Sequence, residues 1–386
     1  MLHSRPVNRF LFVLVTLAIL GSACNMPTPT TTTATTISPA TNPPPIPSLT
    51  PTLAPQVTTV TPTVQPTGTS PSPNPTSTGA PPNPTYLDDR STPTGLILSY
   101  VNAINLKQYL RAYSYWRSGS LTQTFDQFQQ GYQNTASVLV TLGTISGDAG
   151  AGQMYYTVPA VLVAQTTAGE IQTFSACYTL HLSNPGIQTE PPFIPMGINS
   201  GAAKPAANGS IPANLLAHAC DGFPQGTPIN PAPVTHPGDI TPANFLDDRS
   251  TPQEVLSSYF NAVNRKEYAR AYSYWEDAGT SQNVPPFSQF QQGYANTASV
   301  QITTGQARSD AGAGQLYYTL PAVLKSKNAD GSAQTFSACY TFHISQPAIQ
   351  ATQPFRPLAI RSATAKSVPN NSDTSALLGQ ACVGQP

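Results

Sequence analysis

The spacing of apolar positions changes character several times along the chain. An apolar run interrupted only by Thr16 covers Phe10 to Leu20, and no periodic pattern follows until residue 86. Leu96, Tyr100 and Ile104 then recur at helical spacing, and Tyr109, Ala112, Tyr113 and Trp116 resume it after a break near Asn105. Phe125, Phe128 and Tyr132 predict a short third helix. From Ala136 the period becomes two, which predicts strands over 137–144, 153–165 and 171–183, with turns at 146–150 and 166–169. On the third strand Ala176, Tyr178, Leu180 and Leu182 share one face, and Cys177, Thr179 and His181 the other. The expectation is an antiparallel sheet with one buried face.

The whole pattern occurs twice. Tyr86-Leu-Asp-Asp-Arg-Ser-Thr-Pro93 returns as Phe245-Leu-Asp-Asp-Arg-Ser-Thr-Pro252, and Arg111-Ala-Tyr-Ser-Tyr-Trp116 as Arg270-Ala-Tyr-Ser-Tyr-Trp275, at an offset of 159 residues. Phe174-Ser-Ala-Cys-Tyr178 returns as Phe336-Ser-Ala-Cys-Tyr340 at an offset of 162, so three residues enter between Trp275 and Phe290, near Val284-Pro-Pro286. Units of this length are whole domains, not solenoid repeats. They are placed at 86–220 and 245–382, with a Pro/Gly-rich linker over 221–244 and a tail over 383–386. Thr251-Pro252-Gln253-Glu254 predicts a capping box at the start of the second unit's first helix; the first unit has Gly95 at the Glu position, which predicts a weaker start.

Composition changes the picture at the N-terminus. The chain holds 41 prolines, many of them in 24–85 with Thr, Ser and Asn, a composition that cannot bury enough apolar surface to offset ordering entropy. This stretch is expected to be a disordered or polyproline-like stalk, either bare or O-glycosylated. Only 9% of residues are charged, 17 basic against 17 acidic, so there is no electrostatic case for nucleic acid. Arg5 and Arg9, the apolar run and Gly21-Ser-Ala-Cys24 make the three parts of a secretory signal over 1–23, too short to remain as a membrane span. The small residues before Cys24 resemble the lipobox of bacterial lipoproteins, with Gly21 where that family places Leu. The resemblance implies a lipidated Cys24 and a chain held at the extracytoplasmic face of a cell membrane; ordinary cleavage near Ala23 is the alternative.

Helices carrying Tyr109-Leu-Arg-Ala-Tyr-Ser-Tyr-Trp116 and Phe128-Gln-Gln-Gly-Tyr132, followed by long strands, resemble a nuclear-transport-factor-like (cystatin-like) α+β domain over about 86–183 and 245–345. The resemblance implies two tandem cone domains, each with N-terminal helices packed on a curved antiparallel sheet whose open end can hold a ligand. The family contains isomerases and dehydratases as well as modules without chemistry.

Candidate chemistry is sparse. Cys177 with Cys220 and Cys339 with Cys382 are equally spaced pairs, read as one disulfide per domain in an exported chain. A metal site is disfavoured because His218 has Gln380 as its counterpart. Trp116, Tyr156, Trp275 and Tyr318 are the candidate pocket residues, with core packing the alternative. Asp126 becomes Ser288, and Asp148 and Asp310 fall in predicted turns, so no catalytic residue, cofactor or metal is assigned. His181 and His343 are expected at a surface or against the C-terminal tail. The resulting expectation is a non-catalytic lipoprotein whose paired domains take a small-molecule, polysaccharide or envelope-protein ligand. The alternatives are a nuclear-transport-factor-like enzyme using a polar cone pocket and an accessory module for cell-wall enzymes.

Overall fold

The computed structural model describes residues 85–229, 240–280 and 283–384. The signal segment, Cys24 and nearly all of the stalk lie outside the described residues. Within them the chain is α+β, with two tandem bodies that each pair helices with an antiparallel sheet. No helix among the described residues is long and apolar enough to cross a membrane.

In the first repeat α1 (Pro93–Asn105) opens at Thr92, whose side chain accepts from Gly95 N, and stops at Leu106 before Lys107, a residue at φ 59°. Short helices α2 (Tyr109–Ser114) and α3 (Phe125–Tyr132) follow. The sheet contains β1 (Thr135–Leu142), β2 (Ser146–Gly150), β3 (Gln153–Thr166), β4 (Ile171–Ser183) and β5 (Gly197–Ala206). Long β3 pairs with β2 along its first part and with β1 along its second, and β4 and β5 complete the order. Helix α4 (Pro212–His218) and strand β6 (Thr227–Pro228) end the unit, with β6 added to the free edge of β2.

The second repeat reproduces this plan with α5 (Pro252–Asn264), α6 (Tyr268–Ser273), α7 (Phe287–Gly293), β7 (Thr297–Thr304), β8 (Arg308–Gly312), β9 (Gln315–Asn328), β10 (Ala333–Ser345), β11 (Ala359–Val368) and α8 (Thr374–Gln380). Leu96, Ile97, Tyr100 and Ile104 bury one side of α1 against Val158, Ala176 and Leu180 of the sheet; Val255, Leu256, Tyr259 and Val263 of α5 do the same against Leu320, Ala338 and Phe342. Each repeat thus has its own core. The outer sheet face carries the disulfides Cys177–Cys220 and Cys339–Cys382, which tie β4 to the segment after α4 and β10 to the segment after α8.

Two local expectations are corrected. Residues 146–150 are a strand, not a turn, and carry Asp148; the reversal is the two-residue Ala151-Gly152, both at positive φ, and the second repeat does the same with Ala313-Gly314. Alanine rarely adopts that conformation, so the pair gave no turn signal. At the start of α5, Thr251 caps Glu254 N, but among the described residues the reciprocal bond is found only at Thr124 and Gln127 on α3, where both halves of a capping box form. Glu254 is instead half-buried near Asp89 of the other repeat.

The two repeats belong to one compact unit and meet through the duplicated Leu-Asp-Asp-Arg-Ser segment. Asp89 and Asp248 face each other in an antiparallel bridge. Arg90 N donates to Asp247 O and Arg249 N to Asp88 O, each at 2.7 Å; Asp88 N donates to Ser250 Oγ and Asp247 N to Ser91 Oγ, each at 2.8 Å. This reciprocal pattern is a pseudo-twofold junction. It extends to packing, because Tyr86 lies against the second core and Phe245 against the first.

Candidate functional site

The space between helices and sheet, where a cone pocket was expected, is occupied by the chain's own aromatic rings. Trp116 meets Tyr100 edge-on with ring centroids 6.1 Å apart, Tyr100 meets Tyr178 at 6.2 Å, and the hydroxyls of Tyr100 and Tyr132 share a 2.8 Å hydrogen bond. Gly201 makes room for this stack, since a Cβ there would lie 2.9 Å from Trp116 Cη2. Trp275, Tyr259 and Tyr294 repeat the arrangement. Burial pushes the phenols of Tyr100, Tyr178, Tyr259 and Tyr340 far up, which removes them from acid–base work near neutral pH.

Tyr156 and Tyr318 sit at the edge of the cores, half-buried. The Tyr156 hydroxyl donates to Met154 Sδ at 3.7 Å, and burial raises its pKa and that of Tyr318. Tyr156 packs against the same core as Trp116, and Tyr318 against the same core as Trp275.

The concavity lies at the junction instead. A groove of about 540 Å³ runs between the repeats, with Arg90, Arg249, Asp88 and Asp247 among its lining and Trp116 and Phe355 on its walls. The arginines are fixed. Arg90 stacks on Tyr115 at 4.4 Å and donates to Ser114 O and Oγ; Arg249 stacks on Tyr274 at 4.3 Å and donates to Ser273 O and Oγ. Asp88 accepts from the Tyr115 hydroxyl at 2.8 Å and from Tyr86 at 3.2 Å. Asp247 accepts from Tyr274 at 2.8 Å, but its Oδ2 is buried without a partner, because Phe245 stands where Tyr86 supplies a hydroxyl.

Beside the groove, Asp89, Asp248 and Glu254 form an acidic cluster across the junction. Burial raises all three carboxyls and Asp89 adds repulsion to the other two; Asp248 is pushed up to about 8. The sequence pointed to this region only indirectly: Asp-Asp-Arg occurs in both copies of a chain with 9% charged residues. Its role as an interface was not legible, because nothing in the motif states that its partner is its own duplicate.

Neither His181 nor His343 is a free surface group. His181 Nε2 lies 2.7 Å from Gln153 Oε1 and His343 Nε2 2.7 Å from Gln315 Oε1, each ring stacked on a tyrosine. Among the described residues no group of three His, Cys, Asp or Glu is placed to hold a metal ion. No family model matches the chain, and no curated protein or solved structure matches it either.

Proposed function

We propose that this protein is a non-catalytic, lipid-anchored extracytoplasmic module. Its paired nuclear-transport-factor-like domains act as one binding body at the end of a Thr/Pro-rich stalk, and the ligand is taken at the junction groove. The observation that carries this reading is the aromatic filling of both interiors by Trp116, Tyr100 and Trp275, Tyr259, combined with a groove built jointly by the two repeats. Two disulfides support an oxidising exterior. An isomerase or dehydratase reading needs an acid or imidazole at Tyr156, whose hydroxyl bonds to a thioether.

Anchoring is tested by membrane fractionation: Cys24→Ala releases the protein from the membrane fraction. Ligand binding is tested with Trp275→Phe, which leaves Trp116 as the sole tryptophan, on the groove wall. Soluble envelope polysaccharide titrated into this protein shifts its emission if the reading holds. Unchanged emission across all fractions refutes the groove as the ligand site.

A further inference from the structure

A polar cluster on the outer sheet face is not used by this reading. Gln315 begins β9, Ser345 ends β10, and the two are direct cross-strand partners; Tyr317 and His343 form the next pair on the same face. Ser345 Oγ lies 2.8 Å and His343 Nε2 2.7 Å from the same atom of the Gln315 carboxamide, Oε1. His343 Nδ1 lies 2.5 Å from Glu276 Oε1, and Arg361 holds the other Glu276 oxygen at 3.2 Å. The Glu276 backbone is pinned to β11 through Ile360 O at 2.8 Å, and Tyr317 stacks on the imidazole at 4.6 Å. A hydroxyl and an imidazole on β10, a carboxylate after α6 and an acyl carbon on β9 are therefore brought together by three separate parts of the second repeat.

That arrangement is the nucleophile, base and orienting group of an acyl transfer, with the acyl group inside the same chain. We propose that Ser345 and Gln315 join in a side-chain ester. With Nδ1–H donated to Glu276, Nε2 presents its lone pair, and the reactive arrangement is the one in which the Gln315 carboxamide is turned by about 180° from that above, exchanging Oε1 for the NH2 at the same position. Ser345 Oγ attacks Gln315 Cδ while its proton passes to His343 Nε2. The same proton then goes to the amide nitrogen, the Cδ–Nε2 bond breaks, and ammonia leaves. One O–C bond forms, one C–N bond breaks, and no oxidant or co-reactant is consumed. The entropy of bringing the groups together is already met by the strand pairing. The reaction occurs once per molecule and covalently closes the open end of the β9–β10 ladder.

The first repeat supplies an internal control. Ser183 Oγ and His181 Nε2 lie 2.8 and 2.7 Å from Gln153 Oε1, and Tyr155 stacks on His181 at 4.6 Å. Arg117 occupies the sequence position of Glu276. Burial and then Arg117 lower the His181 pKa, and among the described residues no carboxylate is hydrogen-bonded to the imidazole to orient it or to stabilise it once protonated. The ester belongs to the second repeat, with His343 the catalytic residue and Glu276 a positioning residue.

The test is intact mass on the full chain, recovered from inclusion bodies in denaturant and followed during refolding. The wild-type mass falls by one ammonia, and tandem mass spectrometry identifies a peptide cross-linked between Gln315 and Ser345, which separates this event from cyclisation at Asn208-Gly209. Ser183→Ala keeps the loss and Ser345→Ala abolishes it, both with native circular dichroism. Glu276→Gln folds but reacts about 10²-fold more slowly, and Glu276→Asp, which keeps the carboxylate, recovers part of the rate. An unchanged wild-type mass, a loss that survives Ser345→Ala, or a Glu276→Gln rate equal to wild type each overturns the proposal. None of these outcomes bears on anchoring or on the junction groove.

Discussion

Asp248 is expected to make the stability of the protein fall as pH rises. Its carboxyl is pushed from 3.8 up to about 8 by burial and by Asp89 across the bridge. In the unfolded chain it titrates normally. Between those two values the native state holds more protons than the unfolded state, so stability is fully present below about pH 4 and is lost as pH rises through about 8. The steepest loss one such group can impose is about 1.4 kcal/mol per pH unit. Asp89 is raised as well, so the two share this dependence and the total over pH 5 to 8 is on the order of a few kcal/mol. Asp248→Asn keeps the Oδ1 that accepts from Ser250 N at 2.8 Å and removes the charge. Urea unfolding at half-unit steps from pH 5 to 8.5 is the assay. Wild type loses stability across this range, whereas the Asn protein has a flatter profile and is the more stable of the two at pH 8. Parallel profiles for the two proteins would refute the assignment of this dependence to the junction carboxyls.

Other differences between the copies give further expectations. Phe245→Tyr supplies Asp247 Oδ2 with the hydroxyl that Tyr86 gives Asp88 and raises stability by about 1 kcal/mol in urea unfolding. Gln108→Glu adds a similar gain: Glu267 bonds Arg270 Nε at 2.6 Å in the second repeat, while in the first both Gln108 Oε1 and Arg111 Nε are buried without partners. Its expected size is about 1–3 kcal/mol, read the same way. Gly226→Ala detaches β6, because a Cβ there would stand 2.2 Å from Gly147 O; hydrogen exchange at Ile229 N, bonded to Ile145 O at 2.9 Å, then loses protection while β9 and β10 keep theirs.

Periodicity made most of each repeat's elements legible. The strand predicted over 171–183 coincides with β4, the break near Asn105 falls at the end of α1, and Tyr178, Leu180 and Leu182 bury while Cys177 joins the disulfide on the other face. Strand β5 went unread because Gly201, Ala202 and Ala203 carry little apolar signal, and its place is set by pairing with β4. Strand β6 has two residues and exists only as an addition to β2. Residue type and repeat position single out Trp116, Tyr156, Trp275 and Tyr318, but neither property reports whether rings leave a space or fill it.

By itself the sequence determined the duplication, the helix and strand periods, and the equal cysteine spacing, because each is a property of neighbours along the chain or of identity between copies. The tertiary structure decided that duplicated Asp-Asp-Arg segments bind each other, that Trp116 and Trp275 fill the interiors, and that Gln315, Ser345, His343 and Glu276 converge. These are contacts between residues far apart in sequence. Their geometry is set by sheet register and core packing, which no local pattern encodes.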